Sequence, residues 1–251
     1  MNPIILHIPH SSKLIPDEFL NYFYLSKNEL NEEINLMTDH FTDELFGVSL
    51  DNVTSLLFPV SRLLVDPERF EIDEDETMSE VGMGCIYEKT SQGNRLKDGS
   101  KIRERLLNKF YRPHHKKFHD LVKSKLDKFE NVIIIDCHSF PLERLPYEKS
   151  EIKTRPEICL GTDIFHTPEK IRNIFFEKFK ALGFTVDFNT PFSGSIVPSS
   201  YYETDERVIS IMVEVRRDLY MNEKTYKRSE NFNKTKNALS KVIETISNTN
   251  V

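Results

Sequence analysis

The chain has 251 residues, and its 18 Phe and 9 Tyr exclude a wholly disordered polypeptide. The 34 Lys and Arg against 40 Asp and Glu give a net charge of −6, which argues against a general nucleic-acid binder because contacting phosphates requires a basic surface. Three cysteines without a CxxC pair, no secretion-type N-terminal run and no membrane-length apolar run predict a cytoplasmic protein without a membrane partner.

Short apolar runs predict the strands of the fold. The run at 131–136 is almost entirely β-branched and does not alternate with polar residues, which is typical of a central strand covered on both faces. The predicted strands lie at 4–8, 55–60, 132–137, 158–160, 185–188 and 208–215.

Helical patterns separate several of these runs. Met37, Phe41 and Leu45 are four residues apart and would share one apolar helix face, and Pro113 would separate or kink two helices. The predicted helices lie at 28–48, 100–129, 167–182 and, as a polar surface helix, 222–248.

This alternation of strands and helices predicts one α/β domain over residues 1–251, with a mostly parallel sheet and helices on both faces. The acidic, glycine-containing segment 71–100 is predicted to be an excursion or flap of this domain rather than a second domain.

Polar residues follow several predicted strands, at the sheet edge where open α/β sheets bind ligands. His10, the Arg62–Arg69 stretch, His138 and Glu214 occupy such positions. Each alone has a structural explanation, such as a loop hydrogen bond or an ion pair. Their coincidence at strand ends favours a functional site.

These residue types predict a catalytic site for Zn²⁺ or another divalent cation, with three protein ligands and an open position. His10 and His138 would supply nitrogens, and Asp39 an oxygen, although Asp39 could instead interact with a helix terminus and Asp43 lies one turn further along. Asp136 would orient His138 from behind. Glu214 would be the general base, and Ser139 could bind the developing oxyanion.

Other motifs in the sequence are weaker candidates for a metal site or a nucleophile. His115 and His119 have a ligand-like spacing of four, but without the Glu of HExxH and with two lysines between them they are more typical of a solvated helix surface. His7 and His10 are three apart and would face different ways. Cys137 is more typical of a buried thiol than of a nucleophile, and no GxSxG, GxxxxGK or GxGxxG occurs.

Seven segments follow one another along the chain: IPHSS (8–12), DHFTDEL (39–45), PVSRLLVDPER (59–69), DCHS (136–139), CLGTD (159–163), NTPFSGS (189–195) and VEVRRDLYM (213–221). In this order they resemble the N-formylglutamate amidohydrolase family, which hydrolyses N-formyl-L-glutamate to formate and L-glutamate. The family is similar in fold to zinc-dependent exopeptidases and peptidoglycan amidases, so the resemblance implies a single-domain three-layer α/β/α sandwich with a mixed, mostly parallel sheet of the phosphorylase/hydrolase-like type.

The order of ligands in the related amidases falls on His10, Asp39 and His138 for the metal and on Glu214 for catalysis. The implied partner is a small N-acyl acidic amino acid, whose carboxylates arginines are suited to bind. Alternatives are an amidase or deacylase for another N-acyl compound or cell-wall peptide, or a non-catalytic binding protein on the same fold. The expected substrate-binding residues are Arg62, Arg69, Arg216, Asn189 and Ser193.

Three details of this assignment depend on local structure. Arg217 is expected to face away from Arg216, and the segment around Asn189 and Ser193 could equally be a turn. The family usually has Gly at the positions of Ser12 and Ser195, and Asp-x-Asn-Arg where this chain has DPER (66–69). These departures bear on the acyl group and the amino acid rather than on the zinc ligands.

Overall fold

A mixed sheet forms the centre of the computed structural model, which describes residues 1–148 and 154–249. Among these residues, six strands pair in the order β2-β1-β3-β6-β4-β5, and all neighbours are parallel except the antiparallel pair β4 and β6. The strands are β1 (Ile4–Ile8), β2 (Val53–Leu57), β3 (Val132–Phe140), β4 (Ile158–Gly161), β5 (Val186–Phe188) and β6 (Val208–Arg216). All nine residues of β3 are buried, as its β-branched sequence predicts.

Helices cover both faces of this sheet. Phe175 of α6 and Val242 of α7 pack with Ile133 in one apolar cluster, whereas Phe118 and Val122 of α5 pack with Ile134 in another. The predicted α/β/α sandwich is therefore confirmed. The α-helices are α1 (Asp17–Leu20), α2 (Lys27–Met37), α3 (Thr42–Leu45), α4 (Arg103–Leu106), α5 (Arg112–Leu126), α6 (Glu169–Ala181) and α7 (Phe232–Asn248).

Two predicted helices have different bounds. The helix predicted over 28–48 ends at Met37, and Phe41 adopts a left-handed backbone with φ of 62° before α3 begins. The C-terminal helix begins at Phe232 rather than at 222, because short strands β7 (Met221–Asn222) and β8 (Lys227–Arg228) first form a hairpin. Helix α7 also buries one face against the sheet, so it is not polar all round.

The segment predicted as helical over 100–129 is interrupted by a π-helical stretch. A π-helical stretch (Leu107–Tyr111) separates α4 from α5, and Pro113 lies in the first turn of α5. Proline is tolerated there because the first amides of a helix have no intrahelical partner. The break therefore precedes the proline.

The excursion at 71–100 carries 3₁₀ turns at Asp73–Asp75 and Thr77–Val81 and packs into a separate apolar cluster. Buried Tyr87 and Lys97 belong to it, and the Lys97 ammonium donates to the carbonyls of Leu63 and Tyr87. The predicted domain range 1–251 also includes 149–153 and 250–251, which lie outside the described residues. Within the described residues, no helix combines the length and the apolar character needed to cross a membrane.

Candidate metal centre and active site

A cavity of about 1030 Å³ lies at the carboxyl edge of the central strands. His10 follows β1, His138 lies near the end of β3, and Glu214 lies near the end of β6; all three line the cavity. His138 and Glu214 are register partners on neighbouring parallel strands, so they leave the sheet on the same face. The sheet topology thus brings together residues that are far apart in sequence.

Three ligand-type atoms converge at this edge. His10 Nδ1 lies 3.2 Å from His138 Nδ1 and 3.6 Å from Asp39 Oδ2, and His138 Nδ1 lies 3.2 Å from the same oxygen. Ligands of a tetrahedral zinc with bonds near 2.0–2.1 Å are about 3.3 Å apart, so these separations fit a zinc ion. Asp39 is buried, whereas Asp43 is exposed, and only Asp39 belongs to the cluster.

The outer nitrogens of both histidines face carboxylates. His10 Nε2 lies 2.8 Å from Asp66 Oδ1, and His138 Nε2 lies 3.0 Å from Asp136 Oδ1. If both Nε2 atoms carry protons, the lone pairs of the two Nδ1 atoms are directed at each other and repel. A cation or a proton between the two Nδ1 atoms removes this repulsion. The residues present therefore fit a metal ion.

Protons and a metal ion compete for this cluster. Although burial opposes the charged form, Asp136 and Asp39 hold the pKa of His138 well above its usual value. Burial also opposes ionisation of Asp39, yet hydrogen bonds with His10 and His138 hold its pKa well below its usual value. A cluster that stabilises an imidazolium beside a carboxylate also stabilises a divalent cation, which displaces the proton on binding.

Asp39 reaches the cluster from the loop after α2 rather than from the helix itself. Its backbone N–H donates to the carbonyl of His10 at 3.0 Å, which fixes the loop to the end of β1. The guanidinium of Arg217 donates to Asp39 Oδ1 at 3.1 Å and to the carbonyl of Leu36 at 2.7 Å. Arg217 Nε also lies 3.4 Å from the hydroxyl oxygen of Ser139, which lines the cavity.

The structure places Arg217, rather than the expected Arg216, at the cavity. Arg216 does not line the cavity; it pairs with Asp218 at 2.7 Å and donates to the carbonyl of Arg155. Strand β6 ends at Arg216, and the 3₁₀ turn Arg217–Leu219 that follows directs the next arginine inward. Simple strand alternation does not extend through that turn.

Glu214 has the environment of an acid–base catalyst. It is buried, lines the cavity, and its Oε2 makes no hydrogen bond to the described residues. Burial raises the pKa of its carboxyl to about 8. A carboxylate with a raised pKa is a stronger base than an exposed one and can return the proton to a leaving group.

The predicted substrate-binding residues divide into two groups. Arg62, Arg69 and Ser193 line the cavity. Asn189 does not: its side chain exchanges hydrogen bonds with Thr162 at 2.8 Å, and its φ of 53° marks a turn, which is the structural alternative for this residue.

Two of the arginines that line the cavity differ in their hydrogen bonds and ion pairs. Arg62 donates to Asp66 Oδ2 at 2.9 Å and to the hydroxyl of Tyr87 at 3.1 Å. Arg69 makes no side-chain hydrogen bond or ion pair with the described residues, and its Nε is buried. Arg69 therefore offers a cation to an incoming anion.

Sequence reasoning did not assign a role to Asp66, although it lies in the DPER motif. This fully buried carboxylate accepts hydrogen bonds from His10, from Arg62 and, at 2.7 Å, from the hydroxyl of Tyr87. These contacts hold the pKa of Asp66 well below its usual value despite burial. The spacing of Arg62 and Asp66, four residues apart, is the sequence signal for this pair.

A second cluster lies behind the first. His7 Nδ1 is 3.0 Å from Asp136 Oδ1 and 3.0 Å from Glu68 Oε1, and His7 Nε2 is 2.9 Å from His114 Nε2. Although burial opposes protonation, the hydrogen bonds to Asp136 and Glu68 raise the pKa of His7 to about 9. Sequence spacing argued against joint ligation by His7 and His10, and within the described residues they belong to separate clusters.

The competing His115 and His119 motif does not form a ligand pair. His115 lines the cavity, whereas half-buried His119 contacts the hydroxyl of Ser200 at 2.6 Å and stacks on Tyr201. Neither belongs to a metal-type cluster among the described residues. Cys137 is buried in the sheet, which agrees with its reading as a structural thiol.

Similar proteins define the fold. A crystal structure of N-formylglutamate amidohydrolase from Ralstonia eutropha matches with a TM-score of 0.85 and 23% identity, covering 98% of this chain and 93% of that one. A gene product of Agrobacterium tumefaciens matches with a TM-score of 0.63 and 18% identity, covering 98% and 90%. No curated protein matches the sequence at a significant level. The chain is therefore an α/β protein of this shared fold, with its cavity at the carboxyl edge of the sheet.

The sequence also matches the model of one family, N-formylglutamate amidohydrolase, over residues 2–221. Because this match spans most of the chain, the protein belongs to the N-formylglutamate amidohydrolase family.

Proposed function

We propose that this protein is a zinc-dependent amidohydrolase that acts on small N-acyl amino acids, with N-formyl-L-glutamate as the leading substrate. The observation that carries the proposal is the convergence of His10, Asp39 and His138 beside Glu214 in one cavity. Family membership supports the same reaction.

Each side chain has a task in amide hydrolysis. Zinc bound by His10, Asp39 and His138 would supply Lewis acidity toward the amide carbonyl and water. Glu214 would take a proton from the attacking water and deliver it to the leaving amine nitrogen. The Ser139 hydroxyl, directed by Arg217, would donate to the oxyanion that develops on the carbonyl.

Arg69 would bind a substrate carboxylate. Its guanidinium is unpaired among the described residues, and an arginine can bind a carboxylate through two parallel hydrogen bonds. Arg62 would approach a second carboxylate only while sharing its charge with Asp66. Ser193 is exposed at the cavity wall and is proposed to contact the substrate there.

This charge arrangement favours a second candidate, an amidase for an N-acyl amino acid with a single carboxylate. Of the four arginines that the described residues contribute to the cavity, Arg62, Arg112 and Arg217 are paired with carboxylates. The cavity of about 1030 Å³ is also at the upper end of the range for drug-sized ligands. A larger monocarboxylate therefore matches both features.

A substrate panel with metal analysis tests these proposals. The purified chain is expected to contain about one zinc, to release formate from N-formyl-L-glutamate, and to lose activity on chelation and regain it when zinc returns. A chain that contains no metal and stays active in chelator contradicts the proposed chemistry.

The choice of substrate is read from the same panel. N-acetyl- and N-succinyl-glutamate test the acyl group, and N-formyl-leucine tests the need for a second carboxylate. Faster hydrolysis of N-formyl-leucine than of N-formyl-glutamate supports the second candidate. Zinc binding without turnover of any member indicates a binding protein.

A further inference from the structure

His7 lies next to the candidate metal centre without lining the cavity. Its side chain is fully buried and stacks on Phe118 of α5, with ring centroids 4.8 Å apart. His7 on β1 is the register partner of Asp136 on β3, and the strands are parallel, so both side chains leave the sheet on the α5 face. The imidazole of His7 thus stands behind the carboxylate that faces His138.

One oxygen of Asp136 is shared by two histidines. Oδ1 accepts a hydrogen bond from His7 Nδ1 at 3.0 Å and lies 3.0 Å from His138 Nε2 in an ion-pair contact, whereas Oδ2 and His138 Nε2 are buried without a hydrogen bond to the described residues. A buried carboxylate with one contact can turn about its Cβ–Cγ bond, but two contacts on one oxygen restrict that rotation. His7 therefore limits the positions that Asp136 can take against His138.

His7 is itself held from two sides. Its Nε2 lies 2.9 Å from Nε2 of His114, whose ring packs edge-on against Phe58 with centroids 4.9 Å apart. Glu68 Oε1 lies 3.0 Å from His7 Nδ1 in an ion-pair contact and makes no hydrogen bond to the described residues. Both carboxylates line the cavity, whereas the buried imidazole of His7 anchors them from outside it.

We propose that His7 is a positioning residue that fixes, through Asp136, the orientation and tautomer of His138. This inference rests on the proposed metal centre, since its effect is exerted on a ligand. A proton on His138 Nε2, directed at Asp136, leaves Nδ1 free for the cation. Loss of His7 therefore weakens metal binding although His7 does not belong to the cluster of proposed ligands.

Two substitutions separate this role from packing. His7→Leu removes both ring nitrogens, whereas His7→Asn keeps an amide nitrogen at the same number of bonds from the backbone as Nδ1 and so can still donate to Asp136. His119→Leu is the control, since half-buried His119 on the same helix as His114 lies outside both clusters. Zinc affinity of the full chain is measured by competition with a chromophoric chelator.

The expected result is a loss of about 10-fold or more in zinc affinity for His7→Leu, as for removal of other groups behind metal ligands. His7→Asn and His119→Leu are expected to stay close to wild type. At saturating zinc, His7→Leu is expected to lower kcat for formate release without raising KM, because Arg69 is untouched.

Several outcomes overturn the proposal. Unchanged zinc affinity in His7→Leu does so, as does an equal loss in His7→Leu and His7→Asn, which would indicate packing alone. Two zinc ions per wild-type chain, one of them lost in both variants, would make His7, Glu68 and Asp136 a second metal site instead. In these cases the wild type still binds zinc and releases formate, so the proposed function stands; a wild type without zinc removes both.

A further variant tests the proposal in the case that His7→Leu does not fold. Without the imidazole, Glu68 and Asp136 would lie close together with no positive charge between them, which destabilises a buried pair of carboxylates. His7→Leu/Glu68→Gln removes that repulsion and carries the same expectation for zinc affinity. Thermal unfolding of the metal-free proteins shows which variants retain the fold.

Discussion

The protein contains two clusters built from the same residue types in different surroundings. In one, His10, Asp39 and His138 line the cavity, and in the other, His7 and Asp136 meet Glu68 with His7 outside the cavity lining. Both satisfy a simple distance criterion for metal binding.

The difference lies in where the ring nitrogens point. In the cavity cluster the outer nitrogens face Asp66 and Asp136, so the inner Nδ1 atoms converge as acceptors. In the buried cluster, Nδ1 of His7 faces the carboxylates and Nε2 faces His114, so a protonated His7 satisfies the group with one N–H toward the carboxylates and the other toward His114. Proximity of histidines and carboxylates is therefore insufficient evidence for a metal site; the direction of the lone pairs decides.

The largest effect is expected from His138→Ala, because His138 belongs to the cavity cluster and contacts Asp136 of the other. Loss of one of three ligands should remove both zinc and activity. Metal content by mass spectrometry and formate release test this, with His119→Ala as the matched control. Full zinc content in His138→Ala would break the assignment of the cavity cluster.

Glu214→Gln should keep zinc while losing catalysis. An amide cannot accept the proton of water, so kcat is expected to fall about 10²–10⁴-fold. Glu71→Gln is the control, because Glu71 also lines the cavity but pairs with Arg112. A Glu214→Gln protein with wild-type kcat would assign the base to another group.

The buried cluster should appear in the pH dependence of stability. His7 has its pKa raised from 6.5 to about 9, so the stability that it contributes is fully present below pH 6.5 and is lost as the pH rises through 9. The contribution over this window is on the order of 3 kcal/mol.

Urea unfolding in chelator measures that contribution. Between pH 6 and pH 9.5 the wild type should lose more stability than His7→Leu, while groups common to both proteins cancel in the difference. Equal losses would mean that His7 does not carry the charge that distinguishes the buried cluster.

The smallest effect is expected from Arg69→Gln, which changes the cavity without touching either cluster. Loss of a charged hydrogen bond to a substrate carboxylate should raise KM about 10-fold and leave zinc content unchanged. Arg112→Gln, whose guanidinium is already paired with Glu71 and Glu104, should raise KM less. A larger effect of Arg112→Gln would transfer carboxylate binding to that arginine.

Sequence patterns predicted the fold and the strand-end part of the site. The apolar runs mark strands, and a parallel sheet brings their carboxyl ends together, so His10, His138 and Glu214 could be selected before any coordinates. The expectation that Arg216 rather than Arg217 enters the cavity was not met, because β6 ends at Arg216 and a 3₁₀ turn begins at Arg217.

The buried cluster was not predictable in the same way. His7 lies inside a strand, so the strand-end criterion does not select it, and its contact with His114 depends on how α5 packs on the sheet. Glu68 contacts His7 because of the conformation of the loop that follows Arg62. No periodic sequence pattern predicts the conformation of that loop. Contacts that depend on tertiary packing carry no periodic signal in the sequence.

The strand order has a consequence for folding. The strands that carry His10, His138 and Glu214 are neighbours at the middle of the sheet, yet His10 and His138 are 128 residues apart in sequence. Contacts of such long range form late and slowly, because the closure of a long loop must precede them. The complete set of three ligands therefore forms only when β1 pairs with β3, so zinc uptake during refolding reports on that pairing.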